Sequence, residues 1–216
     1  MAQVVRAIIL IVTALFPIVN PLGSAPLFLV MTSEGTPAER RTLAWKVSVN
    51  SFFLLLGSIL IGTHILSFFG ISLPIVQVGG GLVVISAGWG MLKRQDDEDR
   101  KQIQRTAGTG LLLRKAFYPL TLPLTVGPGS IAIAITLGAN VRHTGGEKLL
   151  LGLLAAVVGA LVISLCVLVC YTFAERIGKL LGPTAMSVVM RLSAFLLTCI
   201  GLQIVWNGLT ALIHTL

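Results

Sequence analysis

The sequence predicts an all-α membrane protein: six transmembrane helices in two inverted three-helix repeats, the first and fourth helices broken near the bilayer midplane. Three observations predict it. Apolar runs reach about 20 residues or more, the length a helix needs to span a bilayer. Lys and Arg fall unevenly on alternate loops, and a triplet of prolines occurs twice at one fixed offset.

Of the 216 residues, 55% are apolar and 11% charged, with a mean hydropathy of +0.94. A soluble domain carries about 25% charge, so a soluble body with one anchor is excluded. In lipid every backbone group must be paired internally, which leaves helices and closed barrels. The runs are too long and too uniformly apolar for barrel strands of about ten alternating residues, so the spans are helical. They cover about 4–32, 47–69, 71–92, 116–140, 149–173 and 185–213. The polar stretch KRQDDEDRKQIQR divides the chain into a first repeat at 1–92, a solvated linker at 93–115 and a second repeat at 116–216. Its acidic residues lack the glycine and closing Glu of a calcium loop. Cys166, Cys170 and Cys199 lie inside apolar runs and behave as small hydrophobes, and the spacings suggest neither a metal site nor a bound cofactor.

The net charge of +8 does not point to nucleic acid, because the basic residues occupy short loops between spans. One side of the bilayer collects Arg6, Arg142 and Lys148, and the other collects thirteen Lys and Arg residues. The basic side faces the cytoplasm, which puts both termini on the non-cytoplasmic side. Arg191 opens the last span as a snorkelling residue.

Phe16-Pro17-Ile18-Val19-Asn20-Pro21-Leu22-Gly23-Ser24-Ala25-Pro26 aligns with Tyr118-Pro119-Leu120-Thr121-Leu122-Pro123-Leu124-Thr125-Val126-Gly127-Pro128, each proline pair lying 102 residues apart. Three spans per half is an odd number, so the second half enters the membrane from the opposite side, as in many secondary transporters. Each proline removes an amide donor and crowds the carbonyl four residues earlier, so Pro17, Pro21, Pro26, Pro119, Pro123 and Pro128 mark two breaks. Helices restart readily with proline at their first position, which places the new starts at Pro26 and Pro128. Two half-helix N-termini then face each other at the midplane, each with free amides and about half a positive charge. This is an anion site made of backbone, suited to a carboxylate. Ser24, Ala25, Leu27 and Phe28 from one half, with Gly127, Gly129, Ser130 and Ile131 from the other, are the expected carboxylate donors. Asn20, Thr121 and Thr125 are expected to orient the ligand, whose ammonium can use carbonyls freed by the prolines, such as those of Leu22 and Leu124. No charged side chain lies near the breaks, so the expected ligands are small neutral amino acids such as glycine, alanine, serine or threonine.

ALFPIVNPLGSAPLFLVMT, FGISLPIVQVGGGLVV, PLTLPLTVGPGSIAIAI and MRLSAFLLTCIGLQIVWNGL together resemble the MarC family of bacterial inner-membrane proteins over almost the whole chain. The resemblance implies a six-span member of the wider lysine-exporter-like transporter grouping, in the bacterial cytoplasmic membrane. It also implies an association of some relatives with small neutral amino acids. The broken segments it implies are Asn20 to Pro26 and Thr121 to Ser130, and Gln77 stands where some relatives carry Arg.

Duller roles compete for several residues. Gly79, Gly80 and Gly81, and Gly152 with Ala156 and Ala160, suit close helix packing and permit self-association into a homo-oligomer. Asn50, Ser51, Gln203 and Asn207 either glue helices or face a cavity. His64, His143 and His214 lie at span ends, too separated for a metal cluster. An intramembrane enzyme is disfavoured, because no His, Asp or Glu sits near Ser24, Ser130 or Thr125 to activate a nucleophile. A passive small-solute channel or a non-transporting membrane assembly protein are the alternatives to a carrier in which one half rocks against the other.

Overall fold

The computed structural model describes residues 2–93, 115–142 and 147–214, so most of the expected linker, and His143, lie outside the described residues. Every regular element among them is helical. In chain order they are α1 (Ala2–Val19), α2 (Pro21–Met31), α3 (Pro37–Phe68), α4 (Leu73–Lys93), a wide-turned segment α5 (Phe117–Thr125), α6 (Pro128–Arg142), α7 (Glu147–Thr172) and α8 (Ala174–Ile213). Five are long and apolar enough to cross a membrane: Val4–Met31 (α1 with α2), α3, α4, Leu150–Thr172 and Ser187–Ile213. A sixth follows if α5 and α6, bent by 65°, count as one span.

A large boundary difference is at α3, which begins ten residues before the apolar run at 47. A capping box explains it. Thr36 N donates to Glu39 Oε2 at 2.7 Å and Glu39 N donates to Thr36 Oγ1 at 3.3 Å, while Pro37 takes the first helical position. These local contacts start the helix ahead of the lipid, so Arg40, Arg41 and Lys46 ride on it rather than in a loop. Thr36→Ala is expected to lower thermal stability by about 1 kcal/mol, read from unfolding in detergent. Arg40 reaches Glu175 at 3.3 Å, and Lys179 lies 2.8 Å from the same carboxylate. The hydrogen bond from Lys179, then its charge and that of Arg40, hold the Glu175 carboxyl below its usual range. On an exposed surface this pairing contributes little to stability.

Span α7 lies at the centre. In its apolar stretch 44% of residues are buried, against 22% or fewer in the other four unbent spans. Ile163 and Val167 of α7 pack in one core with Leu15 of α1, Phe28 of α2, and Leu55 and Ile59 of α3. The strongest interfaces are α4 on α8, α3 on α6 and α7, and α1 on α7, each joining a helix before the linker to one after it. The two halves of the sequence are therefore interlocked.

Glycines set the α4–α8 distance. A methyl group on Gly81 would lie 2.8 Å from Gly201 O and 2.7 Å from Val205 Cγ2, and one on Gly201 would lie 2.9 Å from Gly81 O. Gly88 abuts Ala194 and Thr198, and Gly208 abuts Pro74 and Val78. Helices this close gain dispersion contacts that lipid tails cannot replace. Gln203 and Asn207, expected to glue spans or face a cavity, bond to each other and, among the described residues, to no other helix of this chain. Both are exposed on α8 away from α4, and Gln203 Nε2 donates to Asn207 Oδ1 at 2.9 Å.

Candidate functional site at the two helix interruptions

The first interruption is a single residue. Asn20 has φ 46° and ψ 57°, a left-handed conformation that asparagine adopts more readily than most residues. From there its Oδ1 accepts the Gly23 amide at 3.1 Å and its carbonyl accepts the Ser24 amide at 3.0 Å. The Asn20 side chain folds over Gly23 where a Cβ would stand, so this position needs glycine. The helix restarts at Pro21, five residues before the expected start at Pro26, which instead lies inside α2. Pro17 likewise lies inside α1. The amides of Leu27 and Phe28 therefore belong to the body of α2 and are not tip donors. A cap three residues long closes the turn before the later proline acts.

The second interruption is deeper. Tyr118 and Leu122, each preceding a proline, are extended at φ −122° and −108°. The turns between them are one residue too wide for an α-helix: Val126 N donates to Thr121 O at 2.8 Å, and Thr121 and Thr125 hydroxyls donate to the carbonyls of Ala116 and Leu120 at 2.6 and 2.7 Å. α6 then starts at Pro128, as expected. Ile131 N donates to Gly127 O at 3.1 Å, so that amide is spent and Ile131 is not a tip donor. Gly129 and Ser130 precede it in the first turn, where helix amides have no intrahelical partner. Both residues are buried, and α4 covers them: a methyl on Gly129 would collide with Val84 Cγ2.

Tyr171, at the end of α7, joins the two interruptions. Its hydroxyl donates to Ser24 Oγ at 3.0 Å and lies 2.8 Å from Thr125 Oγ1, while its ring stacks on Phe28 with centroids 4.4 Å apart. All four residues are buried to 5% exposure or less. Ser24 Oγ also donates to Asn20 O at 2.9 Å. Asn50 Nδ2 of α3 donates to Thr121 Oγ1 at 3.3 Å, linking a fourth element to the same place. The hydrogen bonds can be counted. Four close oxygen pairs, Asn20–Ser24, Ser24–Tyr171, Tyr171–Thr125 and Thr125–Leu120, share the protons of three hydroxyls. Three protons serve four pairs, so one pair lacks a proton of its own and the cluster is short of one donor.

Of the residues expected at the site, Ser24, Phe28 and Thr125 meet at Tyr171, with Thr121 one turn away. Asn20 acts through its side-chain oxygen and its carbonyl, Gly127 through its carbonyl, Ala25 is buried in α2, and Gly129 and Ser130 form the open turn of α6. Tyr171 itself was not expected. Its signal in the sequence is faint, a phenol closing an otherwise aliphatic run.

Three hydroxyls buried between helices, supported by backbone caps, belong to a multi-pass helical membrane protein. The chain matches the family described as MarC family integral membrane protein over residues 5–213. It is 31% identical to the inner membrane protein MarC of Salmonella typhimurium and to that of Citrobacter koseri, and 29% identical to that of Escherichia coli. Each comparison covers 100% of this chain and 99% of the relative. The chain belongs to the MarC family. No solved structure matches it.

Proposed function

We propose that this protein is a secondary carrier of small neutral amino acids in the bacterial inner membrane, with both termini outside the cytoplasm. The observation that carries the reading is the donor-poor hydroxyl cluster of Ser24, Tyr171 and Thr125 beside the first turn of α6. An ammonium group supplies the donors the cluster lacks, and the Gly129 and Ser130 amides with the α6 dipole suit a carboxylate. A zwitterion fits both. The side chains around it are uncharged and the Tyr171 and Phe28 rings fill much of the space, which favours glycine, alanine, serine or threonine over acidic and basic amino acids.

The electrostatics differ from two equivalent open tips. Asn20 caps α2, so α2 contributes the Ser24 hydroxyl and its dipole, and α6 contributes the amides. The inverted repeat is supported by the α4–α8 contact. Gly81 with Gly201, Gly88 with Gly208, Pro74 with Ala194, Val78 with Thr198 and Ile85 with Val205 are each separated by 120 residues, and each contact made by one member is answered by its counterpart. That is the pattern of a two-fold axis passing between Gly81 and Gly201.

Rocking one half of the sequence against the other would tear the strongest interfaces, so a different unit moves in this proposal. The α4–α8 pair shifts against a core of α1, α2, α3, α5, α6 and α7, withdrawing Val84 from Gly129 and opening the site. The hydroxyl bridge, closed here, favours this alternating cycle over a standing pore.

Binding and counterflow of the twenty amino acids, with purified protein in liposomes, with and without sodium and a pH gradient, test the proposal. Saturable counterflow of glycine or alanine is expected. Linear, non-saturating flux would identify a channel, and transport of glutamate or lysine with none of glycine or alanine would refute the site. Pro128→Ala, which lets α5 run on into α6, is expected to lower counterflow about tenfold or more, because the Gly129 and Ser130 amides would then bond along the helix.

A further inference from the structure

We propose that the outward face of α8 is a homodimer interface, covered by a second copy of this chain. Opposite its contact with α4, α8 exposes Cys199, Leu202, Gln203, Trp206 and Asn207. The membrane-crossing part of α8, Ser187–Ile213, is centred on Ile200. At about 1.5 Å per residue, Gln203 lies about 5 Å and Asn207 about 10 Å from the centre of a hydrocarbon layer whose half-thickness is about 15 Å. In a single copy two carboxamides would face lipid at a depth where polar headgroups do not reach.

Their mutual bond at 2.9 Å uses one donor and one acceptor. Gln203 Oε1, its second Nε2 proton and both Asn207 amide protons remain, so each residue still offers donors, and Gln203 an acceptor as well. This arrangement is complementary to itself: a copy related by a two-fold axis along the membrane normal sets each carboxamide, donor and acceptor in one group, against its counterpart at the same depth. Such interhelical amide bonds hold spans together in lipid, where neither water nor a hydrophobic drive is available. The positions 120 residues earlier on α4 are Val83 and Ala87, which offer no hydrogen bonds. The sticky face therefore occurs once per copy, and an isologous contact between two such faces closes at a dimer rather than growing into a filament. Cys199 lies one turn before Gln203 on the same face and is exposed, which makes it a natural reporter.

The test uses full-length protein labelled with one fluorophore per chain in vesicles at low protein-to-lipid ratio. Wild type is expected to bleach in two steps. Gln203→Leu combined with Asn207→Leu, which suits a lipid-facing surface, is expected to associate at least about tenfold more weakly, with unchanged thermal unfolding. Wild-type protein treated with a short bismaleimide is expected to give a covalent dimer that Cys199→Ser abolishes, a readout independent of the leucine variant. Single-step bleaching of wild type at every ratio, a dimer indifferent to both leucines, or a dimer that Cys199 never cross-links would each overturn the proposal. Loss of amino-acid counterflow in a protein that still dimerises would count against the carrier reading alone.

Discussion

Tyr171→Phe is expected to weaken binding and counterflow of glycine or alanine about tenfold or more while leaving the fold intact. The variant removes one oxygen from the place where an ammonium is proposed to sit, and a hydrogen bond to a charged group contributes about 1.5–3 kcal/mol. The fold survives because neither neighbour is orphaned. Ser24 keeps its bond to Asn20 O at 2.9 Å and Thr125 keeps its bond to Leu120 O at 2.7 Å. The phenyl ring still stacks on Phe28. Removing the hydroxyl also relieves the one-donor shortage, so thermal stability should change by no more than about 1 kcal/mol. Isothermal titration and a melting curve on the same sample separate the two effects. Wild-type affinity in this variant would show that the hydroxyl cluster does not hold the ligand.

Gly138→Ala is expected to be the most destabilising single methyl in the molecule. On α6, that methyl would overlap the carbonyl oxygen of Ile59 on α3 and stand 2.8 Å from its carbon and 3.0 Å from its Cα. The obstacle is backbone, so no rotamer change relieves it, and the two helices must separate. Overpacking of this kind costs about 3 kcal/mol or more. Gly57→Ala on α3 is the matched control, since nothing lies within 4 Å of that site, and it should be neutral or gain up to about 1 kcal/mol of helix propensity. Equal melting temperatures for the two variants would contradict the α3–α6 packing.

Much of the site was visible in the residues themselves, and the gaps have physical causes. Pro128 starts α6 because a proline without an amide fits the first helical turn, a purely local rule. The same rule failed at Pro26, because Asn20 turns left-handed and caps the chain earlier, and a left-handed asparagine is one option among several for that residue. The amides of Leu27, Phe28 and Ile131 lie inside helices or are already bonded, so they differ from the expected tip donors, though the Phe28 ring reaches the site. The matching of the last spans was hidden for another reason. Proline pairs in the first spans differ by 102 residues, whereas the paired glycines of α4 and α8 differ by 120, so a search at one period finds the first set and passes over the second.

The order of residues alone specifies a multi-pass helical membrane protein with a doubled proline pattern, and where α6 begins. Those features depend on hydropathy over about 20 residues and on the missing amide of proline, both readable from neighbours in the chain. Packing in three dimensions was needed to bring Tyr171 to Ser24, 147 residues away, to lay Val84 over Gly129, and to pair α4 with α8. Contacts between distant spans are set by how close backbones can approach and by which buried hydroxyls find partners, and both are properties of the packed helices.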